Sequence, residues 1–279
     1  MWLLWYYLPV NKLTQKYHYS WIILKELVKT DFKMRYEGSV LGMLWTALKP
    51  LLLFTVMYVV FVHFLRFGAG IPYFANSLLL AIVLWTFFSE ATGQGMRSIV
   101  HRGDVLRKIN IPKYVIVVST TASALVNLGI NLVVVLIFAI ISGVQFSWTA
   151  LIIIPALIEL FVFTLSISFL LSAIFVKFRD VEHIWDVFLQ ALFYATPIIY
   201  PIAMVMDFST TAAKVLLLNP IAQLIQDARW GLMYQGTETI WNTIGEPLLW
   251  LVPHVIVIIT LIISTTYFRK NSKYFAELV

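Results

Sequence analysis

The side chains capable of chemistry in this sequence are few and widely separated. The five histidines, His18, His63, His101, His183 and His254, share no HExxH or related spacing, and there is no cysteine to add a thiolate ligand, so no metal site is expected. The pair Gly-Lys never occurs, which removes a phosphate-cradling P-loop. No Gly-x-Ser-x-Gly elbow presents a nucleophile either. No catalytic set emerges, so any energy source must be an ion gradient or ATP bound by another chain. The ionisable residues within apolar runs are more informative. Glu159 sits roughly ten residues into one such run, and a charge at mid-membrane costs about 2.5–3.5 kcal/mol on insertion scales. It should therefore face the protein interior, either touching a substrate or serving as a structural hydrogen-bonding group. Glu90 and Asp186 are expected near span ends, where water reaches. Lys49, ahead of Pro50, can snorkel to the interface or meet the phosphate of an anionic headgroup. Trp45, Tyr58, Trp85, Phe87, Phe88, Phe193 and Tyr194 lie in or beside apolar runs. Sugars present C–H faces that pack on aromatic rings, so these side chains suit a saccharide pathway, with lipid-facing packing as the alternative.

The elements that must hold these residues are transmembrane helices. Of 279 residues, 61% are hydrophobic and 12% charged, and the mean hydropathy is +0.87. A soluble domain carries about 25% charged residues, so lipid must replace water around much of this chain. The fold class is all-α integral membrane. Runs long enough to cross, about 20 apolar residues each, occur at 41–65, 77–96, 114–144, 150–176 and 247–268. A further run, 184–206, contains Pro197 and Pro201, which should interrupt a helix. These make six spans within a single transmembrane domain, with no internal repeat and no linker. Met1 to Val10 is apolar but lacks the basic region of a signal peptide; it reads as an interfacial segment or a disordered start.

Charge placement sets the orientation. With six spans and both termini cytoplasmic, the inner segments hold Lys12, Lys16, Lys25, Lys29, Lys33, Arg35, Arg97, Arg102, Arg107, Lys108, Lys113, Lys177, Arg179, Arg269, Lys270 and Lys273. The outer loops hold only Arg66, Lys214 and Arg229. Sixteen against three is a strong positive-inside bias. It also explains the net charge of +6 without a nucleic-acid partner.

Two non-spanning helices are expected. Residues 18–37 form an amphipathic interface helix, with Lys25, Glu26, Lys29, Thr30 and Lys33 on one arc and Trp21, Leu24, Leu27, Val28 and Phe32 on the other. Asp31 and Arg35 intrude on the apolar side, four residues apart, and can pair. In the outer stretch 201–246, Asn219-Pro220 opens a short helix over 221–233 that must be buried in protein or face water. Gly38 and Gly42 make a GxxxG, which alone is weak support for a helix contact.

The run Arg35-Tyr36-Glu37-Gly38-Ser39-Val40-Leu41-Gly42-Met43-Leu44-Trp45, followed by Leu48-Lys49-Pro50-Leu51, resembles the ABC-2-type permeases that export lipid-linked polysaccharides such as O-antigen, teichoic acid and capsular polymers. Further matches are Phe178-Arg179-Asp180-Val181 with Trp185, Thr196-Pro197-Ile198-Ile199-Tyr200-Pro201, and Asn219-Pro220 with Arg229. Together they cover roughly residues 18 to 275. The resemblance implies a multi-pass protein of the bacterial inner membrane, working as a homodimer with two separate ATPase subunits that bind ATP and magnesium. It implies a coupling helix over 97–111, where Arg97, His101, Arg102, Asp104, Arg107 and Lys108 meet the ATPase. A lipid pyrophosphate would approach beside Lys25, Lys29, Lys33, Arg35 and Lys49. The glycan would pass Trp45, Tyr58, Trp85, Phe88, Glu159, Phe193 and Tyr194, under gate residues Pro197, Tyr200, Pro201, Pro220 and Arg229. The rivals are an ABC-2 exporter of another substrate, a membrane-embedded transferase acting on a lipid-linked substrate, and a secondary transporter.

Overall fold

The computed structural model describes residues 12–36, 38–108 and 111–278, which places Met1 to Val10 outside the described residues; at 12–17, 34–36, 105 and 276 it describes the backbone only. Every regular element among the described residues is helical. Five helices are long and apolar enough to cross a membrane: Leu44–Phe64, Phe74–His101, Lys113–Ile141, Trp148–Phe175 and Pro247–Tyr274.

The chain opens with α1 (Lys12–Tyr36). Its faces divide as the amphipathic pattern requires. Lys25, Glu26, Lys29, Thr30 and Lys33 are exposed, while Leu24, Leu27, Val28 and Phe32 are half-buried. Trp21 departs from the pattern and is exposed. Ile23 and Leu27 pack on a cluster that includes Ile99, Leu106, Ile116, Val117, Phe169, Phe268 and the fully buried Phe275. These residues gather at one end of the bundle, where basic side chains concentrate; it is called the basic end below. Gly38 and Gly42 have positive φ, +77° and +49°, and a Cβ at either would meet nothing within 4 Å. They shape the turn out of α1, and nothing in the protomer fills the space beside them.

The first span, α2 (Leu44–Met57), continues as a π-helical segment over Tyr58–Phe64. Pro50 lies inside it and can donate no backbone N–H to the helix ladder. Next, α3 (Phe74–His101) runs through the middle of the bundle, buried continuously from Phe74 through Trp85 apart from Ala75. A break at Arg102 leads to α4 (Gly103–Lys108), then α5 (Lys113–Ile141) and α6 (Ile153–Phe175), the last entered through a 3-10 turn at Trp148–Ile152. α3 approaches α6 closely at Gly95, where a Cβ would lie 2.6 Å from that of Ser168. Ser168 hydroxyl donates to the Ala91 carbonyl at 3.3 Å across the same contact.

The expected span over 184–206 is instead a 14-residue helix, α7 (Val181–Tyr194), followed by turns to Pro201. At 1.5 Å per residue it extends only about 21 Å, short of the ~30 Å hydrocarbon core. The two prolines are the reason, since neither can extend the ladder. Trp185 anchors α7 by donating its indole N–H to Thr92 at 3.2 Å.

Five short helices follow, α8 (Ile202–Phe208), α9 (Thr210–Leu217), α10 (Pro220–Leu232), α11 (Ile240–Thr243) and α12 (Pro247–Trp250). The chain then crosses back as α13 (Val252–Asn271), and a 3-10 turn leads to α14 (Phe275–Leu278). Asn219 caps α10 by accepting from the Ile221 N–H at 3.1 Å, with Pro220 at the first helical position. Every residue of α10 except Trp230 is buried. Of the two surroundings expected for this helix, protein or water, the structure gives protein.

Candidate transport site

Among the described residues no group of His, Cys, Asp or Glu is placed to hold a metal ion. What the structure does bring together is a pair of polar cavities along α3. The upper one, about 320 Å³, is walled by α2, α3 and α5 through Trp45, Thr46, Lys49, Glu90, Asn127 and Asn131. The lower one, about 330 Å³, is walled by Asp31 of α1, by Arg97, His101 and Arg102, and by Thr120 and Ser123 of α5. Gln94 lines both.

Lys49 Nζ lies 3.2 Å from Glu90 Oε1, so its first partner is a carboxylate of the neighbouring span. The lysine side chain is still 73% exposed, which leaves it open to a ligand. Glu90 sits deeper than its distance from the apolar window suggests. α3 continues to His101, which puts Glu90 about 16 Å along the helix from that end. Hydrophobicity alone ended the span at Met96, but polar residues carry the helix on for five more positions.

The six residues expected at an ATPase contact fall into two groups. His101, Asp104, Arg107 and Lys108 are exposed at the basic end. Arg97 and Arg102 are engaged within the chain. Arg97 Nε is 3.1 Å from Glu182 Oε1 at the start of α7. Arg102 is only 14% exposed; it pairs with Asp31 of α1 and donates to Ser119 at 2.9 Å. Asp31 thus has a long-range partner in Arg102, because docking α1 on α5 and the end of α3 turns it inward; the expected local pair with Arg35 lies outside the described side chains. Only the backbone of Arg35 is described. The expected coupling helix over 97–111 is likewise two pieces: Arg97 and His101 belong to the last turns of α3, and α4 carries the rest.

The aromatic residues also divide. Trp45, Tyr58 and Tyr194 are exposed on the protomer, and Phe193 is half-buried. Trp85 and Phe88 lie in the core: Phe88 stacks on Phe163 at 5.9 Å, and Trp85 meets Phe193 edge-on at 5.6 Å. Their exposure in the protomer is lost to packing among α3, α6 and α7. Glu159 accepts its structural alternative: its Oε1 is 2.6 Å from His254 Nδ1, joining α6 to α13.

Residues 23–233 match the ABC-2 type transporter family. A Myxococcus xanthus protein described as an O-antigen export system permease, RfbA, is 32% identical over 216 residues, covering 77% of this chain and 82% of that protein. Two Klebsiella pneumoniae proteins of the same description are 26% and 27% identical, covering 78% and 76% of this chain and 83% and 82% of their own lengths. The chain belongs to the ABC-2 type transporter family. It is a multi-pass membrane transport permease.

The family match ends just beyond α10, and Arg229 ties that helix to α3 and to the turns after α7. Arg229 is 2% exposed. It donates to the carbonyls of Ser77 at 3.1 Å, Pro197 at 2.7 Å and Ile198 at 2.7 Å, and to Gln226 Oε1 at 2.8 Å. Burial lowers its pKa to about 9, so the guanidinium remains charged at neutral pH. Of the residues expected at the gate, the Pro197 carbonyl accepts from Arg229, Pro197 and Pro201 are buried, Pro220 starts α10, and Tyr200 hydroxyl donates to the Tyr194 carbonyl at 3.0 Å. Nearby, Asp227 is buried with its carboxyl against Gln223. Burial raises its pKa to about 8, with the Glu159 charge adding to the shift.

Four residues of the permease's polar cavity, Glu90, Gln94, Asn127 and Asn131, were not singled out from the sequence as a site. A signal existed: Glu90 and Gln94 are four apart on one helix, as are Asn127 and Asn131 on another. That such pairs face each other across a cavity is decided only when α3 and α5 pack.

Proposed function

We propose that this permease is the membrane-spanning subunit of an ATP-driven exporter that moves a lipid-linked O-antigen-type polysaccharide to the outer side of the bacterial inner membrane. The observation that carries the reading is the match, at 32% identity over 77% of the chain, to a permease described as exporting O-antigen. The absence of a P-loop sequence agrees with a separate ATPase subunit that binds ATP and magnesium. Two permeases pair with two such subunits. The basic end is cytoplasmic in this reading, which the sixteen-to-three distribution of Lys and Arg supports. α7 and the turns to Pro201 together make one crossing, which gives six passes and both termini inside.

The partner ATPase docks on His101, Asp104, Arg107 and Lys108. Its movement on ATP binding reaches α7 through the Arg97–Glu182 pair and α1 through the Arg102–Asp31 pair. Lys25, Lys29 and Lys33, exposed along α1, and Arg35 attract the diphosphate of the carrier lipid, each contributing about 1 kcal/mol near the surface. The exposed Trp45, Tyr58 and Tyr194 line the path at the junction of the two permeases, with α8 to α10 as the outer gate.

The test is native purification in mild detergent, with mass spectrometry of everything retained, alongside deletion of the gene. A stoichiometric Walker-motif ATPase and intracellular build-up of lipid-linked glycan are expected. A chain that purifies alone, in cells whose surface glycan survives both the deletion and ATP depletion, would overturn the proposal.

A further inference from the structure

The helix that carries most of the docking side chains cannot hold its own position. α4 has six residues, against the roughly 12–15 at which an isolated helix is even marginal in water. Among its described side chains only Leu106 is buried, while Asp104, Arg107 and Lys108 are exposed. It is also set off from α3, because the backbone leaves the helical region at Arg102, with φ −109° and ψ 22°. The Arg97–Glu182 and Arg102–Asp31 pairs arise at or before that break, whereas α4 lies beyond it. A push delivered to α4 therefore needs a further partner if the spans are to feel it.

That partner is α14, which lies against α4. Phe275, its first residue, is fully buried in the same cluster as Leu106. Its ring meets Phe268 of α13 edge-on at 5.4 Å, and Phe268 meets Phe169 of α6 edge-on at 4.8 Å. The chain arrives there through the 3-10 turn at Ser272–Tyr274, and Lys177 steadies the entry to that turn by donating to Asn271 at 2.9 Å. Side chains packed this closely have low compressibility, so they pass on a displacement instead of absorbing it.

α6 and α13 are tied at two levels. At the basic end the ties are Phe169 with Phe268 and Lys177 with Asn271. About 21 Å further along α13, the tie is Glu159 Oε1 with His254 Nδ1 at 2.6 Å. At that second level Ala156, Leu157 and Leu160 of α6 face Leu224, Ile225 and Ala228 of α10 across a seam too narrow for water. The two helices thus join the basic end to the helix that Arg229 staples. We propose that Phe275 is a positioning residue for coupling: it seats α4 on the α6–α13 pair, so that movement imposed on α4 by the ATPase reaches α10. The assignment rests on the docking of the ATPase at α4 proposed above.

The test uses the permease purified with its ATPase partner, in proteoliposomes containing lipid-linked glycan extracted from the producing cells. Hydrolysis and translocation are measured together, and the readout is glycan moved per ATP. Phe275→Ala should lower that ratio about fivefold, with the ATPase still bound and hydrolysis within about twofold of wild type. Phe275→Leu, which refills most of the space, should keep the ratio within about twofold. Ile82→Ala truncates a fully buried side chain about 28 Å along α3 from the basic end. It should lower the thermal midpoint and leave the ratio alone, as a purely structural loss does. An unchanged ratio in Phe275→Ala, or an equal fall in Ile82→Ala, overturns the proposal. Leu106→Ala approaches the same cluster from α4 and decides the question if Phe275→Ala fails to assemble. It should give the same fall, and an unchanged ratio there is equally fatal. Where both variants fold, the double variant should lose no more than either alone, because the two break one connection; additive losses overturn it. Wild-type export from Arg107→Glu with Lys108→Glu refutes docking at α4 itself, a result distinct from any outcome at Phe275.

Discussion

Lys49 and Arg229 are both cations within apolar surroundings, and the structure gives them opposite fates. Lys49 stands at the wall of a polar cavity with one carboxylate partner and most of its side chain accessible. Arg229 is enclosed, and its donors are taken by three backbone carbonyls and an amide. A planar guanidinium can satisfy several fixed acceptors at once, whereas an ammonium on a flexible stem acts as a movable point charge. The basic half of α3 is therefore arranged around space, and the opposite end around a closed staple. The type of charge in a membrane protein says less about its role than what its partners leave unoccupied.

The sharpest way to break this comparison is to remove the staple. Arg229→Ala should cost about 3–5 kcal/mol, because a buried charge network loses one side and its acceptors are left unpaired. The thermal midpoint in detergent would drop steeply, and Arg229→Lys should recover little of it. If Lys restores the midpoint, the multi-acceptor geometry is not what matters. Close packing beside the staple comes next. A Cβ at Gly231 would lie 2.1 Å from Ile152 Cγ2 and 2.8 Å from the Thr149 carbonyl oxygen. Gly231→Ala is expected to lose about 1–3 kcal/mol from overpacking, read as a lower denaturation midpoint.

At the basic end the contrast turns from stability to coupling. Arg107→Glu with Lys108→Glu should leave the melting midpoint within a degree or two while breaking the link between ATP hydrolysis and export. Arg102→Glu should lower the midpoint by placing a carboxylate against Asp31, at a cost of about 1–3 kcal/mol. Wild-type export from the double variant would refute the docking assignment.

A separate effect is a pH dependence at Asp227. The unfolded carboxyl titrates near 3.8 and the folded one near 8. Folding thus favours the protonated form, so the stability it contributes is full below about pH 4 and lost as pH rises through about 8. Asp227→Asn should flatten the fall in thermal midpoint between pH 5 and 8.5. An unchanged slope would refute the assignment to Asp227.

The sequence was legible where a single element's periodicity carries the information. The arcs of α1 appear in the structure as written, apart from exposed Trp21, because helix geometry alone fixes which residues share a side. Span positions followed from apolar length, but their ends did not: α3 runs past Met96 to His101 because backbone hydrogen bonding does not stop where hydrophobicity does. The same extension placed Glu90 deeper than expected and within reach of Lys49.

By itself, the sequence determined that this is a helical membrane protein, which charged segments lie together, and where prolines forbid a continuous sixth helix. Those properties depend on composition, on residues close in the chain and on backbone chemistry. Tertiary structure decided that Asp31 meets Arg102, that Trp85 and Phe88 are core, and that Arg229 is a staple. It also turned scattered polar residues on α3 and α5 into one groove. Each of these is a pairing between residues tens of positions apart, and only the packing of helices, with the requirement that buried polar groups find partners, can select it.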